Sequence, residues 1–133
     1  MKAIDTNVLV RFLVNDDEAQ ARAVMNRFKT AETQRDAFFL PLLVVLETIW
    51  VLESAYGIDR GEIIGALGDL LLMPILEFEH RPALQGMLSL AAANRSDLSD
   101  LLIAEVAHHA GCESVLTFDR KAANGELFEL ITD

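Results

Sequence analysis

The stretch Lys2-Ala3-Ile4-Asp5-Thr6-Asn7-Val8-Leu9-Val10-Arg11-Phe12-Leu13-Val14 decides the fold. Its first four residues read as a short strand that ends in an acid, and the pattern then changes period. Thr6 is suited to cap a helix over residues 7–14, which stops at the polar Asn15-Asp16-Asp17. Strand, turn and helix in immediate succession open an α/β unit.

Working outward, the same alternation continues. A second helix runs to about Lys29, with Ala21, Val24, Met25 and Phe28 at i, i+3, i+4 and i+7. Residues 38–40 form an apolar strand, and Pro41 suits the first turn of a long helix reaching Tyr56 before Gly57. Asp59 and Glu62 make a capping-box pair for a helix over residues 60–72. Pro74 opens a strand at 75–78, and Pro82 starts a helix that ends near Asn94. Ser96-Asp97-Leu98-Ser99 is a cap cluster for a helix over 100–110, closed by Gly111. Strands are expected at 114–118, ending at Asp119, and at 128–131. Alternating strands and helices imply a parallel, helix-covered sheet: an α/β fold, arranged as a three-layer α/β/α sandwich.

Composition supports one domain over residues 1–133. The chain is 52% hydrophobic, enough to bury a core, and no repeat or Gly/Ser linker divides it. Eleven Lys and Arg stand against 21 Asp and Glu, a net charge of −10. That balance argues against a protein that coats DNA or a membrane surface. One cysteine, Cys112, allows no internal disulfide and no multi-cysteine zinc site. Without a signal-like apolar segment at the start or a run long enough to span a bilayer, a cytoplasmic location is expected.

Four acids stand out against this background. Asp5 and Asp119 end predicted strands, where ligands bind in parallel α/β sheets. Ordinary turn or cap duty is the plainer account of each. Glu47 has Leu43, Val44, Trp50 and Val51 as helical neighbours, so it is expected on an apolar, partly desolvated stripe. There it needs a cation, either a metal or an arginine. Asp100 precedes Ile103, Ala104 and Ala107 on one helix face, an inward stripe, while Asp97 can serve as the N-cap. Gathered carboxylates repel by roughly 4 kcal/mol at about 4 Å and an effective dielectric near 20, and so call for a hard cation. Oxygen-only ligands suit Mg²⁺, with Mn²⁺ as the alternative.

These segments carry a resemblance. Asp5-Thr6-Asn7-Val8-Leu9-Val10-Arg11 resembles the opening strand-turn-helix of PIN-domain ribonucleases, in particular VapC-type toxins of toxin–antitoxin pairs. Leu46-Glu47-Thr48-Ile49-Trp50-Val51-Leu52 is similar to the family's second acidic segment, and Ser99-Asp100-Leu101-Leu102-Ile103-Ala104 to its third. Val115-Leu116-Thr117-Phe118-Asp119-Arg120 resembles the fourth strand and terminal acid, although Phe118 stands where many members have Asn. The resemblance spans nearly the whole chain in the family's order. It implies metal-dependent hydrolysis of RNA, with Asp5, Asp100 and Asp119 as metal ligands and Glu47 orienting water or acting as general base. Thr6, Asn7 and Thr117 would aim the carboxylates. Arg11, Arg95, Arg120 and Lys121 lie near these motifs and on this resemblance would line the rim, although ordinary solvated side chains are the plainer account of any one of them. The resemblance further implies an antitoxin partner, for which an acidic toxin suits a basic segment, and a homodimer.

Three other classes compete. A haloacid-dehalogenase-like phosphohydrolase wants a second Asp two residues after the first, where this chain has Asn7. A receiver domain needs paired acids and a late lysine. A non-enzymatic interaction module would leave all four acids structural. None of the first two explains an acid in the middle of the helix that follows Pro41.

Overall fold

The computed structural model describes residues 1–132. In chain order its elements are β1 (Lys2–Ala3), α1 (Thr6–Leu13), α2 (Glu18–Gln34), β2 (Phe38–Leu40), α3 (Leu42–Ser54), α4 (Arg60–Leu71) and β3 (Leu76–Phe78). These are followed by α5 (Arg81–Ala93), α6 (Leu98–His109), β4 (Val115–Thr117), a 3₁₀ turn (Ala122–Asn124) and β5 (Phe128–Leu130). The chain forms two compact units, the first Met1–His80 and the second beginning at Arg81.

In the first unit the strands lie in the order β1-β2-β3, all parallel, with Lys2 opposite Phe38 and Phe38 opposite Leu76. Parallel neighbours need a crossover, which α1 with α2, and α3 with α4, supply. The helices bury their apolar faces: Leu9 and Val10 of α1, Val45, Ile49 and Leu52 of α3, Ile63, Leu67 and Leu70 of α4. Phe28 of α2 is buried and meets Phe12 and Phe38, with ring centroids 4.9 and 5.6 Å apart. Tilted rings at such distances add attraction beyond the area they bury.

The second unit packs α5 along α6 and pairs β4 with β5, again parallel, with Val115 opposite Phe128. Ala83, Leu84 and Met87 of α5 and Leu98, Leu101 and Leu102 of α6 are among its buried side chains. A Cβ on Gly86 would fall on the Glu105 carboxylate, the movable end of that side chain, which would have to swing aside. At the end of α6, Gly111 takes a positive φ of 93°, and the Cys112 N–H reaches back to the Ala107 carbonyl at 3.0 Å. That left-handed turn is open to glycine at no steric cost, which is why the helix stops there.

The α/β class and the parallel pairing agree with the sequence. The described strands pair as two parallel sheets, of three and two strands. Boundaries shift in ways that have causes. Thr6 is the first residue of α1 and not its cap: the Asp5 side chain accepts from the Thr6 N–H at 2.7 Å. Helix α2 continues past Lys29 to Gln34 and closes on Arg35, at a φ of 54°. Pro41 stands at the N-cap of α3, where it has no side-chain acceptor, and Glu79 serves instead by accepting from the Leu42 N–H at 2.8 Å. Asp59 precedes α4 without a side-chain cap bond, so the expected capping box does not form. Helix α6 starts at Leu98, two residues before the expected Asp100.

Candidate active site

In the first unit one buried threonine organises two acids. Thr6 is 6% exposed, and its position at the start of α1 turns its hydroxyl toward α3. That hydroxyl donates to Glu47 Oε1, while its backbone N–H donates to Asp5 Oδ1. Residues 41 positions apart in sequence are thereby joined through a single side chain. Among the described residues neither carboxylate makes an ion pair. Asn7 is exposed on the first turn of α1, and there its side chain makes no hydrogen bond among the described residues.

Glu47 does not lie where its neighbours implied. It is exposed, as are Leu43 at 77% and Trp50 at 63% on the same side of α3. The buried face is Val45, Thr48, Ile49 and Leu52, at i, i+3, i+4 and i+7. Helix α3 is apolar nearly all round, so its sequence holds two overlapping stripes and does not say which is covered. Thr48 joins the core because its hydroxyl donates to the Val44 carbonyl at 2.7 Å, which satisfies a group otherwise costly to bury.

In the second unit Asp97 caps α6, its carboxylate accepting from the Ser99 N–H at 3.1 Å. Asp100 then occupies the third helical position and is half-buried. Burial, and then the charges of Asp97 and Asp119, push the Asp100 carboxyl above the usual range. Repulsion of this kind is what a bound cation relieves. The expected inward stripe holds only in part, since Ala104 is buried but Ile103 is 42% exposed. Asp119 follows β4 in a turn of its own making. Its N–H donates to Thr117 Oγ1 at 3.0 Å, and its Oδ1 accepts from the N–H groups of Lys121 and Ala122 at 2.9 and 3.3 Å. Thr117 thus holds the backbone that carries Asp119.

Arg11 is committed within its own unit. It donates to Gln20 at 2.6 Å and to the Tyr56 hydroxyl at 3.3 Å, and it pairs with Asp16 at 3.5 Å. Tyr56 in turn donates to Asp16 at 2.7 Å. That bond, with help from Arg11, holds the Asp16 carboxyl below the usual range, and the same bond raises the Tyr56 hydroxyl against the opposing effect of Arg11. Sequence reading missed this cluster, because Asp16 and Tyr56 lie 40 residues apart and neither sits in a motif. Arg120 is exposed and makes no ion pair among the described residues.

The donors on offer are carboxylate oxygens with hydroxyl and backbone support, a chemistry that fits a hard divalent cation and no soft one. Among the described residues no group of three or more His, Cys, Asp or Glu side chains is itself gathered to hold a metal.

Parallel strands, helical crossovers and acids at strand ends and helix starts define an α/β protein with candidate acids in each of its two units. The chain matches the PIN domain model over residues 2–125, and it belongs to that family. It is 25% identical over 121 residues to a VapC ribonuclease of Aquifex aeolicus (strain VF5), covering 91% of this chain and 89% of that relative. Among the described residues no helix is long and apolar enough to cross a membrane.

Proposed function

We propose that the chain, acting as one domain over residues 1–133, is a Mg²⁺-dependent ribonuclease and the toxin of a toxin–antitoxin pair. The observation that carries this reading is the Thr6 link: its N–H and its hydroxyl hold the Asp5 and Glu47 carboxylates, with no ion pair on either among the described residues. A structural salt bridge, the plainer role for Glu47, has no partner there. Membership of the PIN domain family and similarity to a VapC ribonuclease support the same assignment.

Asp5, Asp100 and Asp119 are the residues we assign to hold Mg²⁺, or Mn²⁺ in its place. Bound there, the ion would neutralise the scissile phosphate and acidify a water. Glu47 keeps Oε2 for that water while Thr6 fixes Oε1, so the carboxylate can orient the nucleophile and take its proton. Thr117 steadies the turn that presents Asp119, and Asn7 stands beside Asp5. Arg11 and Arg120 are basic residues we assign to the RNA. A homodimer, a cytoplasmic location and an antitoxin whose basic segment meets the chain's −10 charge complete the proposal.

The test is direct. Purified protein incubated with mixed RNAs should leave them intact in EDTA and cleave them once Mg²⁺ or Mn²⁺ is restored. Equal cleavage in both conditions would refute the metal requirement, and none in either would refute the nuclease.

A further inference from the structure

We propose that a cavity in the second unit, beside the turn at residues 94–96, binds a backbone phosphate of single-stranded RNA through Arg95 and Lys121. The inference deepens the ribonuclease reading and rests on it for the identity of the polymer.

The cavity measures about 370 Å³, and Arg95, Ser96, Lys121, Asn124 and Glu126 are among the residues that line it. That volume lies at the small end of ligand pockets. Arg95 brings a planar set of N–H donors that matches phosphate oxygens, and Lys121 brings a compact charge. Neither makes an ion pair among the described residues, so both remain available to an anion. Among the described residues Glu126 is the one carboxylate on the wall, which leaves two cations against one anion on a chain of net −10. Of the four basic residues from position 81 onward, two line this one cavity.

Its position favours RNA over an acidic peptide. Each segment that lines it also carries an acid assigned to the metal. Arg95 and Ser96 lead directly into Asp97 and Asp100. Lys121 lies two residues after Asp119, and its own N–H donates to the Asp119 carboxylate at 2.9 Å. Cation and acid are therefore fixed on one hydrogen-bonded turn. A polymer with one phosphate at these acids would bring a neighbouring phosphate to Arg95 and Lys121. An acidic peptide has no phosphodiester for those acids to act on.

The experiment measures binding without cleavage. A short, fluorescent, 2′-O-methylated oligouridylate is titrated in EDTA against wild type and against Arg95→Gln/Lys121→Gln, with folding checked by circular dichroism. The double variant should bind on the order of tenfold weaker or worse, as expected for lost charge-assisted bonds. Its slope of log K against log salt should be shallower by roughly 1.4, at about 0.7 per phosphate contact on a single strand. Arg22→Gln/Lys29→Gln, which removes two charges from α2, should change binding far less, and the charge-preserving Arg95→Lys/Lys121→Arg should retain most of it.

Unchanged binding in the double variant, or an equal loss in the α2 variant, would overturn the proposal. So would displacement of the oligonucleotide by equimolar uridine monophosphate, inorganic phosphate or polyglutamate, which would assign the cavity to a free phosphate or an acidic chain. Cleavage in Mg²⁺ reports separately. Binding that depends on Arg95 and Lys121 in a protein that cuts no RNA would keep the phosphate site and remove the ribonuclease reading. Cleavage with binding indifferent to both residues would do the reverse.

Discussion

At the scale of single residues, Glu47 and Asp100 do different things with their charge. Glu47 is exposed and anchored by Thr6, so removing its charge disturbs little packing. Glu47→Gln keeps an oxygen to accept from Thr6 and should melt close to wild type while losing cleavage, which a paired melt and RNA digestion would check. A markedly earlier melt with cleavage intact would make Glu47 structural. Asp100 is held above its ordinary carboxylate range in the folded protein, first by burial and then by Asp97 and Asp119. The folded state thus binds its proton more tightly than the unfolded state does, and stability falls as pH rises between the two values. Above the folded value the full cost stands. Asp100→Asn removes that titration, so the metal-free variant should be more stable than wild type at neutral pH. The advantage should vanish below about pH 3.9, the ordinary aspartate value. Denaturant titrations at the two pH values measure it, and a variant less stable at neutral pH would contradict the sign.

At the scale of elements, most of the fold was legible because each turn of period has a chemical punctuation mark. Gly111 ends α6 as its position foretold, and Asp97 caps that helix. What was not legible is long-range. The cap of α3 comes from Glu79, 37 residues downstream of Leu42, and no local pattern announces it. The exposed side of α3 is equally hidden, since Leu43 and Trp50 are as apolar as the residues that the core covers. Asp5, Asp100 and Asp119 were legible by type at strand ends or a helix start and Glu47 as an acid amid apolar helix neighbours, whereas the Thr6 link between Asp5 and Glu47 was not. Spacing does separate Asp97 from Asp100. The Asp97 carboxylate is spent on the Ser99 N–H, so Asp97→Ala should cost on the order of 1 kcal/mol, as lost N-caps do. Metal-dependent cleavage should survive that change, and Asp100→Asn should abolish it with the fold kept. The opposite pattern in melting and digestion assays would put Asp97 in the site and Asp100 outside it.

At the scale of the whole molecule, the net charge of −10 governs how a metal response must be read. A chain so acidic repels itself, and any added salt relieves part of that strain by screening. Stabilisation by Mg²⁺ alone therefore proves nothing about a site. Specific binding adds a mass-action term, about 2.7 kcal/mol at one hundred times the dissociation constant. For a domain of this size, each kcal/mol moves the melting temperature by roughly 3–5 °C. The Mg²⁺ shift should thus exceed that of NaCl at matched ionic strength by several degrees and grow with the logarithm of Mg²⁺ concentration. Screening by Na⁺ should give the same modest rise in wild type and in Asp100→Asn, because a change of one charge in ten hardly alters self-repulsion. Only the excess due to Mg²⁺ should disappear in the variant. An excess of equal size in both proteins would place the ion away from Asp100, and no excess in wild type would leave the acids without a metal to hold.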